Sequence, residues 1–201
     1  MKWRGKIRLF ITLIALAMSF SVTGSPEKES PHWLSDYEDD PFLFNFDGYR
    51  ITRYRSPTPK KAEGGERINT TALHDKIRSD HPPVLINVQP LEWLQGIFLQ
   101  QQPQVGIPGS RWLPNVGQGE PEQVWLDYFR FYLHENTDGK TDSDIVLYCT
   151  ADCWMSWNAV RRAHSWGYTE LYWYKEGIDG WQEAELPETT LKPEPFPVNM
   201  P

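Results

Sequence analysis

The chain has 201 residues, enough for one domain of ordinary size with flanking segments. It carries 20 Lys and Arg against 27 Asp and Glu, a formal net charge of −7. An acidic chain repels phosphate backbones, and no basic stripe reverses that repulsion, so we expect no nucleic-acid partner.

The first 24 residues have the pattern of a secretory signal peptide. Lys2, Arg4, Lys6 and Arg8 form a basic head, and an apolar run of about 14 residues follows and ends in small residues. Because a transmembrane helix needs roughly 20 apolar residues, an uncleaved anchor is the less favoured alternative. We expect export to a bacterial periplasm, with no membrane contact after cleavage. The mature chain would carry 16 Lys and Arg against 27 acids, a net charge of −11.

Residues 25–66 are predicted to precede the globular domain. Residues 25–41 are acidic and polar, which is typical of a flexible lead-in. Residues 42–59 alternate aromatic residues with arginines, and we expect this arm to pack on the domain; a strip that binds a partner is the alternative. Residues 60–66 have the glycine and charge content of a linker.

Strands alternate with helices over residues 67–187, which predicts βα units and a parallel sheet. A Pro-rich stretch, residues 188–201, follows and is predicted to be an extended tail. The elements predicted in the first part of the domain are a helix over residues 72–78 capped by Thr70 or Thr71, a strand over residues 84–88, a helical turn over residues 90–94, a loop over residues 95–112, and a helix over residues 121–134 with Pro121 at an early position.

Residues 144–181 hold both cysteines of the chain, Cys149 and Cys153. Residues 145–148 are an unbroken apolar run, as in a strand that is covered on both faces. Cys149 therefore falls directly after a buried strand, at the reactive edge of an α/β sheet.

A helix and a further strand are predicted after the cysteines. Residues 156–165 have apolar residues at helical spacing, Gly167 provides a C-cap, and residues 171–174 form the next strand. Free amide groups and the helix dipole favour a thiolate over a thiol next to a helix start, which makes Cys149 the candidate nucleophile.

Four segments occur in the order seen in rhodanese-like domains, and the chain resembles that family over residues 67–187. They are LINVQPLEW (residues 85–93), IPGSRWLPNVG (residues 107–117), LYC (residues 147–149) and YKEGIDGW (residues 174–181). More narrowly, GYRITRYRSPTP (residues 48–59), IPGSRWLPNVG and CTADCWMSWNAVRRA (residues 149–163) are similar to the CXXCW-motif proteins. These are rhodanese-like proteins associated with pyrroloquinoline-quinone (PQQ)-dependent catabolism of alcohols in Gram-negative bacteria.

The resemblance implies an α/β rhodanese-like domain with a central parallel β-sheet flanked by helices. It also implies a sulfurtransferase in which Cys149 carries sulfane sulfur as a persulfide, with backbone N–H groups of the loop aimed at its sulfur. The partners would be a small sulfur donor or thiol acceptor, and a periplasmic quinoprotein dehydrogenase or cytochrome c. We expect no cofactor, and no metal because two thiolates need further ligands.

The loop after Cys149 departs from the family pattern. When Ser156 is set against the serine that usually opens the next helix, this loop is one residue longer than in active sulfurtransferases. It contains no cation, and Asp152 would oppose an anionic donor by on the order of 1–4 kcal/mol. Our hypothesis is that Arg111 supplies a cation by folding over Cys149. The candidate substrate-loop residues are Thr150, Ala151, Asp152, Trp154, Met155 and Ser156, together with Arg111.

Three further residues differ from those usual in related proteins, and they argue against particular reactions. Met155 stands where the related phosphatases need an arginine, which argues against phosphatase activity. Asn87 replaces an aspartate and Gly106 a histidine that are common in the family. Simple transfer between thiosulfate and cyanide is therefore not the expected reaction.

The role of Cys153 stays open. It lies four residues after Cys149, a spacing that brings two Cα atoms to about 6 Å, within disulfide range. Cys153 can resolve a persulfide on Cys149, the pair can be a redox-active disulfide, or a static disulfide can fix the loop. The sequence thus predicts an exported sulfurtransferase. The alternative is a non-enzymatic or thiol-redox accessory protein that binds a quinoprotein dehydrogenase, its cytochrome or its cofactor.

Overall fold

The computed structural model describes Asp40 and residues 42–197. The predicted signal peptide and nearly all of the acidic lead-in lie outside the described residues. Within that part of the chain, no helix combines the length and the apolar character that a membrane span requires. In chain order the elements are β1 (Glu66–Arg67), α1 (Thr70–Ile77), β2 (Val84–Asn87), β3 (Trp93–Leu94), β4 (Ile97–Phe98), β5 (Gln104–Gly106), β6 (Arg111–Trp112), α2 (Gln123–Thr137), β7 (Ile145–Tyr148), α3 (Trp154–Ser165), β8 (Leu171–Tyr174), α4 (Gly177–Glu183) and β9 (Thr189–Leu191).

Five parallel strands form the central sheet in the order β1-β8-β7-β2-β6. β7 lies in the middle, paired with β2 on one side and with β8 on the other. All of its residues are buried, as the unbroken apolar run predicts, because helices cover both faces of the sheet. The predicted α/β fold with a central parallel sheet is confirmed.

Alternate residues of β7 belong to two apolar cores, one on each face of the sheet. Ile145 and Leu147 pack with buried residues of α2 and α3, whereas Val146 and Tyr148 pack with residues of α1 and α4. Side chains of a strand alternate between the faces with a period of two, so the split follows from strand geometry. The carboxyl end of β7 is thereby fixed between two layers of helices.

Helix α3 begins at Trp154, two residues earlier than predicted, with Cys153 as its N-cap. Ser156, predicted to open the helix, lies in its first turn and donates from its hydroxyl to the carbonyl of Cys153 (3.0 Å). The helix is capped by Trp166, and Gly167 follows with a φ of +94°, a left-handed conformation that glycine adopts without strain. The glycine therefore stops the helix one position beyond the cap residue itself.

Helix α1 is capped by Asn69, and the prediction of Thr70 or Thr71 as the cap is wrong. The side-chain oxygen of Asn69 accepts a hydrogen bond from the amide of Ala72 (2.9 Å). The hydroxyl of Thr70 is hydrogen-bonded to that of Tyr174 in β8 (2.8 Å). A tertiary contact thus takes the group that the sequence assigned to capping.

Helix α2 is shifted along the chain relative to the prediction. It begins at Gln123 after its N-cap Glu122, so Pro121 precedes the helix instead of lying within it. It continues to Thr137, where Asp138 adopts a left-handed φ of 52° and ends the helix.

Residues 90–94 do not form the predicted helical turn. β3 and β4 pair instead as an antiparallel hairpin, with Trp93 opposite Phe98. The two residues between the strands, Gln95 and Gly96, have φ values of 52° and 86°, as in type I′ turns. The usual Asn-Gly signature is missing, which explains the error. β5 and β6 likewise interrupt the stretch predicted as loop.

The described part of the predicted tail lies against the domain. β9 pairs with β5 in antiparallel orientation. The hydroxyls of Tyr128 and Tyr132 donate to the carbonyls of Glu194 and Pro195 (both 2.7 Å). The stretch is extended beyond β9, as predicted, but it is held by tyrosines of α2.

The arm, residues 42–59, crosses α3. The side chain of Asn158 in α3 accepts from the amide of Arg50 (3.0 Å) and donates to its carbonyl (2.8 Å). The predicted linker is a short bridged turn between Ala62 and Gly65, and Glu66 already belongs to β1. The domain therefore begins within the stretch that was assigned to the linker.

We predict that Phe196→Ala lowers the free energy of unfolding by about 2 kcal/mol, less than the cost of removing a fully buried phenylalanine. Its ring lies 4.5 Å from the rings of Trp93 and Tyr128 and 5.0 Å from that of Trp125. Urea unfolding measures the change. Phe46→Ala removes the same atoms from a fully exposed ring and should change the value by less than about 0.5 kcal/mol. Equal losses in the two variants would contradict the docking of the tail.

Candidate active site

Cys149 lies at the carboxyl end of β7, and Cys153 stands at the amino end of α3. A disulfide joins them, with their Cα atoms 6.0 Å apart, which fits the four-residue spacing. Only 1% of Cys149 and 5% of Cys153 is exposed. The pair thus bridges the junction of strand and helix, with both sulfurs largely covered in the oxidised state.

A cleft of about 390 Å³ lies beside the disulfide. Its walls come from the arm, from β5, from the segments that follow β2, β6 and β7, and from the first turn of α3. Its surface is more apolar than polar, and its polar groups are several amide and hydroxyl side chains and one guanidinium. The lining residues are Tyr54, Arg55, Gln89, Pro90, Gln104, Gln118, Cys149, Thr150, Cys153 and Met155.

The arm holds the cysteine loop through a short antiparallel contact. Arg55 lies opposite Cys153. The amide of Trp154 donates to the carbonyl of Tyr54 (2.8 Å), and the amide of Ser56 donates to the carbonyl of the residue before Cys153 (3.1 Å). These bonds fix both the end of the loop and the first amide of α3.

The start of α4 holds the other side of the loop. The amide of Ile178 donates to the carbonyl of Cys149 (2.9 Å), and the amide of Ala151 donates to the carboxylate of Asp179 (3.0 Å). Gly177 has a φ of 57°, and a side chain there would collide with the carbonyl of Cys149. Only glycine lets the backbone of α4 approach the cysteine this closely.

The predicted ring of amides around the sulfur does not form as expected in this oxidised state. The amides of Ala151 and Trp154 have other acceptors, the carboxylate of Asp179 and a carbonyl of the arm. The sulfur of Cys149 lies 3.9 Å from the hydroxyl of Thr150. Charge on Cys149 would therefore be stabilised chiefly by the positive end of the α3 dipole.

The family model of the rhodanese-like domain matches residues 71–184 of this chain. The chain belongs to the rhodanese-like family. The match runs from within α1 to the end of α4 and includes both cysteines. Among curated proteins, no sequence matches this one.

Solved structures with a similar fold share little sequence with this rhodanese-like chain. A thiosulfate sulfurtransferase from Pseudomonas aeruginosa aligns with a TM-score of 0.48 and 13% identity, over 68% of this chain and 22% of that chain. A polysulfide-sulfur transferase from Wolinella succinogenes has a TM-score of 0.40 and 10% identity, over 69% and 87% of the two chains. An uncharacterized protein from Saccharomyces cerevisiae has a TM-score of 0.40 and 15% identity, over 59% and 92%. The chain thus spans about a fifth of the first of these proteins.

The carboxylate of Asp152 does not act on the cleft as predicted, because it is turned to the arm and to Lys175. It accepts hydrogen bonds from the amide and hydroxyl of Thr58 (3.2 and 3.0 Å) and lies 3.3 Å from the ammonium of Lys175. Burial acts against the charged form, but the bonds from Thr58 and the charge of Lys175 outweigh it and lower the pKa of Asp152. The predicted repulsion of an anionic donor is therefore largely offset.

Trp154 and Met155 lie in the first turn of α3 and not in the loop where the sequence placed them, and Ser156 lies in the same turn, within the helix as predicted. The indole of Trp154 donates to the hydroxyl of Ser56 (3.0 Å), and the hydroxyl of Ser156 accepts from the indole of Trp173 (3.0 Å). Met155 is the one of the three that lines the cleft. The loop is shorter than expected because the arm supplies a partner for the first amide of the helix.

Arg111 does not fold over Cys149, and that hypothesis is wrong. Its guanidinium contacts the side chains of Asn136 in α2 (3.2 Å) and Glu194 in the tail (3.1 Å). Arg111 is the first residue of β6, an edge strand of the sheet, and it does not line the cleft. The acidic partner in the tail determines where this guanidinium points.

The cation of the cleft is Arg55, which no sequence motif marks as a site residue. It reaches the cysteines because the arm runs antiparallel to the loop, with Arg55 opposite Cys153. Its guanidinium donates to Asp179, the carboxylate that also holds the amide of Ala151 (3.2 and 3.0 Å). The alternation of arginines in the arm was a signal, but sequence alone could not say which arginine faces the cleft.

We predict that Asp152→Asn destabilises the protein at pH 7 and that the loss shrinks as the pH falls. The variant keeps a side chain suited to the left-handed φ of this position (51°) and removes the charge. Because the folded-state pKa of Asp152 is lowered, its stabilising effect is present above the unfolded-state pKa and is lost as the pH falls through the folded-state pKa. Urea unfolding at pH 7 and at about pH 3 measures the two differences.

Asp142→Asn, in an exposed turn, is the matched control and should leave the free energy of unfolding nearly unchanged at both pH values. A loss in Asp152→Asn that stays constant over this range would contradict the interaction of the carboxylate with Lys175 and Thr58.

Proposed function

We propose that this rhodanese-like protein is a sulfurtransferase in which Cys149 carries sulfane sulfur as a persulfide. The observation that supports this most is the position of Cys149, which ends the central strand, lines the cleft and lies beside the amino end of α3. The positive end of a 12-residue helix favours a sulfur anion at such a place.

The transfer needs the reduced form of the cysteine pair. The Cys149 thiolate attacks the outer sulfur of a donor, the sulfur–sulfur bond of the donor breaks, and the donor's remaining anion leaves with the electron pair. The thiolate of an acceptor then attacks the outer sulfur of the Cys149 persulfide. That step forms the acceptor persulfide and returns Cys149 as a thiolate.

Cys153 gives the persulfide a second fate. Its thiolate attacks the inner sulfur, which is Sγ of Cys149, and expels hydrosulfide with the electron pair of the broken bond. The product is the disulfide between Cys149 and Cys153. A dithiol reductant returns the pair to two thiols and is itself oxidised to a disulfide. The disulfide is then a resting state from which the carrier is regenerated.

We predict that the reduced protein gains the mass of one sulfur atom when it is incubated with thiosulfate or with an organic persulfide. Intact-mass spectrometry is the measurement. Cys149→Ser should abolish the adduct, because the attacking sulfur is gone. Cys153→Ser should keep it and lengthen its lifetime, because the resolving thiol is removed. An adduct that survives Cys149→Ser would contradict the assignment of Cys149.

A second candidate function is thiol–disulfide exchange or a purely accessory role, and the disulfide itself favours it. With 1% of Cys149 exposed, the oxidised protein presents little sulfur to a donor. In that case the protein isolated from cells lacks the mass of two hydrogen atoms, and after reduction it takes up no sulfur. The two outcomes of the mass experiment therefore separate the candidates.

We also propose that the protein is exported and acts beside PQQ-dependent alcohol oxidation, with a quinoprotein dehydrogenase or a cytochrome c as partner. The proposal is supported by the signal-peptide pattern of residues 1–24 and by the likeness of the arm and cysteine segments to CXXCW-motif proteins.

In cells that encode this chain, we predict that deletion of the gene impairs growth on alcohols and that the full-length gene restores it. It should not be restored by a form lacking residues 2–24. Restoration by Cys149→Ser would favour the accessory role.

A further inference from the structure

Gln89 is a buried amide in the wall of the cleft. It lies two residues beyond the end of β2, next to β7 in the sheet, and only 8% of it is exposed. Its backbone is held at two points: the amide donates to the side-chain oxygen of Asn87 (2.8 Å), and the carbonyl accepts from the indole of Trp112 (2.8 Å). The side chain is thus attached to a rigid segment.

The neighbours of Gln89 determine which end of its amide can serve a ligand. Because the oxygen of Asn87 accepts from a backbone amide, the nitrogen of Asn87 must be the end that donates to Oε1 of Gln89 (2.8 Å). A second donor, the side-chain nitrogen of Gln104, reaches the same Oε1 (2.8 Å). The acceptor of Gln89 is therefore used twice by the protein. Its Nε2 has no partner in the described part of the chain and remains as a donor.

Arg55 supplies the second donor and the charge. Its side chain is 68% exposed, and of the groups that line the cleft Arg55 alone carries a charge. One of its terminal nitrogens donates to Asp179 (3.2 Å), which holds the guanidinium in place and leaves other N–H groups for a ligand. A site with a fixed amide donor and a guanidinium complements a ligand with a carbonyl and a carboxylate.

We infer that the cleft binds a small organic thiol, or its persulfide, that carries a carboxylate and an amide carbonyl, and that Arg55 and Gln89 determine this specificity. The inference rests on the proposed function, which makes Cys149 and Cys153 the reacting sulfurs. The cleft volume of about 390 Å³ lies in the lower range of small-molecule sites. An inorganic donor such as thiosulfate would fill little of it, whereas a thiol of the size of a short peptide would fill most of it.

The disulfide offers a reaction that reports recognition without any sulfur transfer. A thiolate attacks one sulfur of the Cys149–Cys153 bond, forms a mixed disulfide, and the other cysteine leaves as a thiolate. A second thiolate attacks the sulfur of the bound thiol, so two thiols become one disulfide and the protein gains two thiols. The rate of this reduction depends on how well the cleft holds the attacking molecule.

The test compares glutathione with its diethyl ester as reductants of the oxidised protein. The two share their thiol and peptide carbonyls; the ester carries two ethyl groups where glutathione has free carboxylates, and the comparison between variants cancels this constant difference in size. Reduction of the disulfide is monitored by alkylating the new thiols and measuring the intact mass. Each reduction rate is divided by the thiolate concentration of its reductant. The readout is the ratio of the glutathione rate to the ester rate. We expect Arg55→Gln to lower this ratio about tenfold, because a charge-assisted bond is lost.

Gln89→Glu is the second variant, because it keeps the acceptor that Asn87 and Gln104 use and replaces the free donor by an oxygen. It should lower the rates of both reductants, and that of glutathione more.

Arg111→Gln is the control variant. It removes an arginine that the tail holds away from the cleft and should leave the ratio unchanged. In the wild type, added salt should lower the ratio, since the carboxylate contact is partly exposed.

A ratio that is the same in wild type and in Arg55→Gln would overturn the inference, and so would a ratio that is insensitive to salt in the wild type. Failure of the proposed function has a different signature. The reduced protein would take up no sulfur at Cys149, while the ratio would still depend on Arg55. The sulfur adduct and the reduction ratio are independent measurements, so each failure is recognised separately.

Discussion

A short antiparallel contact between the arm and the cysteine loop is the interaction on which the site depends. The carbonyl of Tyr54 takes the first amide of α3, and this bond fixes where the helix starts. Since the same helix begins directly after Cys153, the contact also sets the position of Cys153 relative to the end of β7. Asn158 secures the arm by binding both the amide and the carbonyl of Arg50. A rhodanese-like domain without the arm would lack this constraint.

Charge in the site is arranged in pairs that join distant segments. Asp152 interacts with Lys175 and the arm, and Asp179 interacts with Arg55 and the amide of Ala151. Each carboxylate has a cation and at least one amide donor, so neither leaves an uncompensated charge beside the sulfurs. Under our inference, an anionic ligand group would share the guanidinium of Arg55 with Asp179, although the loop after Cys149 contains an aspartate and no cation.

The covered disulfide connects the two candidate functions, sulfur transfer and thiol–disulfide exchange. A sulfur that is nearly buried when oxidised is protected from chance exchange, and reduction is required before it can act as a nucleophile. The backbone of the arm pairs with that of Cys153, so the arm constrains the cysteine for which we propose the resolving role. Under the proposed function, the redox state of the pair would decide whether sulfur chemistry begins, and the cleft would decide which thiol takes part.

The sequence alone was sufficient for features whose signals are local. The apolar run of β7, the helical spacing of α3 and the four-residue interval between the cysteines predicted a parallel α/β sheet with Cys149 at its edge. Only the tertiary structure decided which charges surround that cysteine. Asp152 turns to Thr58, 94 residues away in the chain, and Arg55 stands in the cleft where Arg111 was expected. The reason is physical: the direction of a long or charged side chain is set by its partners, and partners this distant in sequence leave no periodic pattern.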